Sequence, residues 1–225
     1  MAYAAVVDGV GVVVEVNAET DFVGKNEKFV DFVKGVAAVV AANKPADLDA
    51  LMALSYGNGR TVQEEQQEMV LVIGENIKVR RFGRYDTGVS IPYVHMGGRI
   101  AVLMNLTVGE GFEKNEKVVE LGKDLAMQVA ALNPQFLDKS EVSEEFIENE
   151  KHIRLLQAKE DPKNAKKPDA IIEKIVMGGL NKYFSEICLM QQPFVKDDKK
   201  SVGELVKAAG AQIGGYTLFV VGEGI

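Results

Sequence analysis

The stretch Lys25-Asn26-Glu27-Lys28-Phe29-Val30-Asp31-Phe32-Val33-Lys34 returns 89 residues later as Lys114-Asn115-Glu116-Lys117-Val118-Val119-Glu120-Leu121-Gly122-Lys123. Extended without a gap, the match joins 12–49 to 101–138, and 14 of the 38 pairs are identical, Pro45 and Pro134 among them. Composition alone gives roughly two or three identities in such a window, so a common origin explains the pair. The physical pattern repeats with the letters. Residues 12–16 and 100–103 are continuous apolar runs, which suits strands covered on both faces. Phe29, Phe32, Val33, Val36 and Val40 then recur at helical spacing, as do Val118, Leu121, Gly122, Leu125 and Val129. Each stripe marks an amphipathic helix that ends near its proline.

Working outward, 62–72 reads as a helix and 77–82 alternates as a half-exposed strand. Asp86-Thr87-Gly88 reads as a hairpin turn, and 2–16 as a strand. Helical stretches at 143–159 and 169–184 flank Asp161-Pro162-Lys163-Asn164, where proline and polar side chains stop a helix. They predict an antiparallel hairpin in which Phe146, Ile153 and Leu156 face Ile171, Ile175 and Leu180. Strands are expected at 187–190 and 216–221, around a helix from 202 to 209 that Gly210 ends. Gly214-Gly215 suggests a turn, and 196–200 a solvated charged loop. Strands and helices without strict alternation indicate an α+β fold. The expected organisation is two related subdomains, 1–98 and 99–225, each a small antiparallel sheet flanked by helices. A protruding helical hairpin at about 143–184 is inserted in the second.

The 225 residues are 47% apolar and 26% charged, with net charge -7. That balance describes a globular chain and argues against nucleic acid or an anionic membrane as partner, since both need clustered Lys and Arg. No apolar run is long enough to span a bilayer. Cys188 stands alone, so no intrachain disulfide forms, and a reducing cytoplasm is the natural compartment. Beside a His it could be a nucleophile, but Ile187 and Leu189 flank it and a small core hydrophobe is the better reading. His152 is expected to be exposed on its helix. The chain has no phosphate-binding Gly-Lys loop and no HExxH, and the glycine pair Gly9 and Gly11 lacks the third glycine of a dinucleotide site. No cofactor, metal or direct nucleotide binding is expected, and no catalytic residue.

The two copies differ where strand passes into helix. The first has Thr20-Asp21-Phe22-Val23 and the second Gly109-Glu110-Gly111-Phe112. Read locally, Thr20 or Asp21 caps the helix and Phe22 staples its first turn. Read as a site, an acid beside an aromatic ring on a loop can enter a partner's metal-phosphate pocket. His95, next to Gly97 and Gly98, likewise reads either as a strand end or as a contact.

Asn17-Ala18-Glu19-Thr20-Asp21-Phe22-Val23 resembles the signature of the elongation factor Ts family. Ile73-Gly74-Glu75-Asn76-Ile77 with Arg80-Arg81 resembles its second block. Tyr93-Val94-His95 with Gly98-Arg99-Ile100 resembles the third, and Gln192-Pro193-Phe194-Val195 and Val221-Gly222-Glu223-Gly224-Ile225 the later ones. The blocks run in family order along nearly the whole chain. The resemblance implies a guanine-nucleotide exchange factor for elongation factor Tu, acting in translation elongation in the cytoplasm. It further implies that Asp21 and Phe22, with Thr20 and Val23, enter near that GTPase's magnesium. Ile73, Gly74 and His95 are implied as secondary contacts. A homodimer stays open. The family begins with a small helical domain unlike anything before Tyr3, so a shortened chain is expected. An enzyme and a purely structural interaction module are the rival readings.

Overall fold

The computed structural model describes residues 1–111, 113, 115–164 and 166–224; Phe112 and Lys114 of the second copy and Ile225 of the closing block lie outside these. The chain opens with strands β1 (Ala2–Val7) and β2 (Val10–Asn17), followed by helices α1 (Glu27–Asn43), α2 (Leu48–Ala53) and α3 (Val62–Ile73). Strands β3 (Lys78–Tyr85), β4 (Val89–His95) and β5 (Ile100–Val108) precede α4 (Glu116–Leu132), α5 (Glu144–Glu160) and α6 (Asp169–Ile187). Strands β6 (Pro193–Phe194) and β7 (Asp197–Ser201), helix α7 (Val202–Ala208) and β8 (Ala211–Val220) complete it. The fold is α+β, with small antiparallel sheets flanked by helices. Packing divides it into Met1–Ala131 with Ala209–Ile225, and Leu132–Ala208. The packing does not divide at residue 98; we propose the halves 1–98 and 99–225 as a division by descent.

In the first unit, three-stranded sheets of order β1-β2-β3 and β4-β5-β8 lie face to face. Val13 meets Ala101, Leu103 and Phe219 between them, while Val12, Val14 and Val16 turn the other way onto Phe29, Phe32, Val33 and Val36 of α1. Burial on both faces is why β2 reads as an unbroken apolar run. On the other sheet, a Cβ at Gly122 of α4 would come within 2.5 Å of Ile91, so glycine lets that helix settle onto β4.

The repeat holds, with one correction to its register. Asn26 and Asn115 cap α1 and α4 alike, each accepting the amide two residues on, at 3.0 Å. In the strands, however, the ladder irregularity falls between Glu15 and Val16 in β2 and between Asn105 and Leu106 in β5. That is an offset of 90 rather than 89, and a one-residue slip reverses the face of every strand side chain. Val12, facing a helix, therefore corresponds to Val102 and not to Ala101, which faces the opposite sheet. The first copy has one residue more between bulge and cap.

Other expectations are corrected. Residues 2–16 form two strands, not one, turning through Asp8 (φ 50°) and Gly9 (φ 83°), the paired left-handed residues of a tight hairpin. Asp86-Thr87-Gly88 is no hairpin: it carries the chain from β3 in one sheet to β4 in the other. Residues 187–190 end α6 and enter a 3-10 turn, Leu189–Gln191; a short apolar run cannot by itself distinguish a strand from a buried helix end. Gly214-Gly215 lies inside β8, and most of 196–200 lies in β7.

In the second unit α5 and α6 pair as the predicted hairpin, with Ser143 capping α5 and Asn164 Nδ2 donating to the Ala158 carbonyl at 2.8 Å. Its seam keeps Phe146 and Leu180 of the expected row and replaces the rest. Leu155 and Ala158 pack with Ile172 and Val176, and Phe146 with Leu180 and Phe184, whereas Ile153, Leu156, Ile171 and Ile175 are exposed. The helices carry more apolar residues than one stripe holds, and the seam takes the row in which small Ala158 permits close approach.

Candidate functional site

The loop between β2 and α1 is bounded on both sides. Behind it, Val23 is 6% exposed and packs in the core, and Val23–Lys25 form a 3-10 turn closed by Lys25 N–H to the Phe22 carbonyl at 3.1 Å. Ahead of it, the Glu75 carboxylate accepts from the Glu19 amide (3.1 Å), the Thr20 amide (2.9 Å) and the Thr20 hydroxyl (2.5 Å). The hydroxyl bond from Thr20, helped by the two amides, holds the Glu75 carboxyl below its ordinary value. Between these fixings, Phe22 has no packing to hold it and is 80% exposed. Asp21 is exposed and has no hydrogen bond or ion pair among the described residues.

The local reading of this loop is overturned. Asn26, not Thr20 or Asp21, caps the helix, and an exposed Phe22 staples nothing. Val23, expected at a partner surface, instead turns inward and anchors the turn.

Glu75 reaches the loop because α3 ends where it does. A capping box of Thr61 and Glu64 starts the helix, and Gly74, at φ 81°, ends it by donating to the Val70 carbonyl at 2.9 Å. Ile73 is half-buried and Gly74 exposed. The structure thus brings Ile73 and Gly74 to Thr20 through Glu75. His95 stands apart from that cluster at the end of β4. It is exposed, with Nδ1 2.9 Å from the Tyr93 hydroxyl and its ring stacked on that of Tyr93. No hydrogen bond or ring contact ties His95 to the loop among the described residues.

Two apolar side chains beside these positions escaped the sequence reading. Leu71, in the last turn of α3, is 80% exposed, and Met96, following His95, is 66% exposed at φ 50°. Helical periodicity gives one signal for Leu71, since it falls off the buried face marked by Val62 and Met69. Glu75 is marked in the sequence only as a letter of its family block; its contact with the loop leaves no local signal, because its partners are 55 and 56 residues away.

Other residues in and around the matching blocks serve the scaffold. Glu15 is fully buried and accepts from Arg80 (3.0 Å), Arg81 (2.5 Å) and the Gly222 amide (3.2 Å), and Arg81 lies over the Phe219 ring at 4.4 Å. Burial pushes the Glu15 carboxyl up, but the hydrogen bonds from Arg81, Arg80 and Gly222 outweigh it and leave the group below its usual range. Cys188 is buried, and desolvation pushes its thiol up to about 11, far from a nucleophile's range. Among the described residues no cluster of His, Cys, Asp and Glu could hold a metal ion, and no helix is long and apolar enough to cross a membrane.

Residues 19–223 match the family model described as elongation factor TS. The elongation factor Ts of Syntrophotalea carbinolica is 47% identical over 224 residues, covering 96% of this chain and 72% of that protein. That of Azoarcus sp. is 46% identical, covering 94% of this chain and 67% of its own length. That of Lacticaseibacillus casei is 42% identical over all of this chain and 74% of its own.

Proposed function

The chain belongs to the elongation factor Ts family, and from that premise we propose that it is a guanine-nucleotide exchange factor for elongation factor Tu. It acts in the cytoplasm and makes or breaks no covalent bond. A GTPase holds GDP through magnesium and backbone amides around the phosphates. An exchange factor needs only to bind the nucleotide-free form better than the loaded one; by linkage it then lowers nucleotide affinity by the same factor.

The observation that carries this reading is a phenyl ring 80% exposed on a loop fixed at both ends. Exposing Phe22 in water is unfavourable by the free energy its burial would release, about 1.5–3 kcal/mol, and that area is available to a partner. In this reading Phe22 is the wedge, Asp21 disturbs the ligands of the partner's magnesium, and Thr20 holds the pair in place. Ile73, Gly74, Leu71 and, on a second face, His95 and Met96 widen the contact.

The test is release of fluorescent GDP from elongation factor Tu. Wild-type chain accelerates release, and Asp21→Ala with Phe22→Ala lowers kcat/KM about a hundredfold, as expected for a central anchor, while the fold is kept. Equal acceleration by the double variant removes the assignment, and binding without acceleration leaves an interaction module instead.

A further inference from the structure

We propose that Glu75 is a positioning residue for exchange, setting the pose in which Asp21 and Phe22 meet the GTPase; this rests on the functional reading above.

The Glu19 and Thr20 amides and the Thr20 hydroxyl all converge on the Glu75 carboxylate. Beyond Ala18, which packs against the α1 core, they are the loop's fixings on the strand side, because Glu19, Thr20, Asp21 and Phe22 are all exposed and bury nothing that could fix them. On the helix side the 3-10 turn and Val23 already hold the chain. Removing the clamp therefore frees one end of the tip and leaves the other seated. A loop ordered before encounter loses less conformational freedom on binding than one ordered during it. Glu75 is itself held in place, one residue beyond the left-handed Gly74 that ends α3. The clamp carries its geometry from a helix end to a loop 55 residues distant in sequence. Carboxylate chemistry suits the task, since a single ionised group accepts three bonds here, and those bonds hold its carboxyl below the ordinary value.

The alternative role is direct contact of Glu75 with the partner. A double-mutant cycle separates the two. Exchange kinetics are measured for wild type, Glu75→Ala, Glu75→Gln, Phe22→Ala and Glu75→Ala with Phe22→Ala, with thermal unfolding of each. The expected result is about a tenfold loss of kcat/KM for Glu75→Ala and an intermediate loss for Glu75→Gln, which keeps one acceptor oxygen. In the Phe22→Ala background the same change costs clearly less, because one of the two side chains it positions is gone. Unfolding midpoints stay together. The inference is overturned if Glu75→Ala exchanges as wild type does, or if its loss is equally large with and without Phe22. A full-strength Phe22→Ala protein would overturn the functional reading as well, whereas a loss for Phe22→Ala with none for Glu75→Ala overturns the clamp alone.

Discussion

β3 and β8 each hold one residue more than the central strand they pair with: Arg80 opposite Glu15 and Val16, and Gly214 opposite Asn105 and Leu106. Both bulges face a buried polar side chain, Glu15 in one sheet and Asn105 in the other. The polar residue is then satisfied in two ways. A bulge places neighbouring side chains on one side of a strand, which lets Arg80 and Arg81 both reach Glu15, one on each carboxylate oxygen. Asn105 donates from Nδ2 to the Thr87 carbonyl at 2.7 Å and to Ser90 Oγ at 3.2 Å, and its amide oxygen fills the space where a side chain of Gly214 would start. The irregularity at equivalent positions is thus a charged tie in the copy that leads into the exposed tip, and a neutral, close-packed one in the other. The charged tie also gathers Gly222 and Glu223 from beyond β8, so β2 is held from two directions just before the tip begins.

The sharpest way to break this comparison is to make the first bulge neutral. Glu15→Gln keeps the shape but leaves two guanidinium groups without their anion. Breaking a buried pair costs about 3–5 kcal/mol; because Arg80 and Arg81 keep some access to water, the loss should be near 3 kcal/mol at neutral pH, read from urea unfolding. The pH dependence has a definite sign. A carboxyl lowered by folding stabilises above its unfolded value, and that stability is lost as pH falls through its folded value. Below about pH 4 the gap between wild type and Glu15→Gln therefore narrows. A gap that is constant down to pH 3 would mean that the network contributes nothing electrostatic.

The second bulge predicts a smaller steric effect. A Cβ at Gly214 would lie 2.6 Å from Asn105 Oδ1, so Gly214→Ala must move a buried, hydrogen-bonded amide. About 1–3 kcal/mol is expected, as for other overpacked sites. The double change Gly214→Ala with Asn105→Ala should recover part of it if the clash is the cause.

How much of this was legible in the sequence follows from the range of each interaction. The α+β class, the two helices of the repeat and the α5–α6 hairpin rest on local periodicity and on Pro162, and were readable. The gap-free alignment missed the extra residue because only one identity, Val13 with Val102, precedes Lys25 in it; all the remaining identities lie at Lys25 or beyond. Face assignment in β5 depended on that residue. Asp8-Gly9 carried a readable turn signal that the long apolar run concealed. The change of sheet after Asp86 has no local signature, since turn residues do not say which strand comes next. At the site, Asp21 and Phe22 stood out by residue type and by contrast with the second copy. Glu75 did not, because its meaning lies in amides 55 and 56 residues away. Exposure separates Val23 from Phe22, and a loop sequence without periodicity does not encode it.

The smallest expected effect tests the comparison most directly at the tip. If Phe22 served its own scaffold, as its neighbour Val23 does, truncating it would remove packed area and cost the 3–5 kcal/mol typical of a core phenylalanine. At 80% exposure the ring has little to lose, and Phe22→Ala should change folding stability by no more than about 0.5 kcal/mol. Val23→Ala, at the next position but 6% exposed, should cost about 1–2 kcal/mol, because it leaves a cavity in the α1 core. The two variants, unfolded side by side in urea, set adjacent residues on opposite sides of the boundary between scaffold and site. Equal losses would place both side chains inside the protein and leave the tip without a surface to offer.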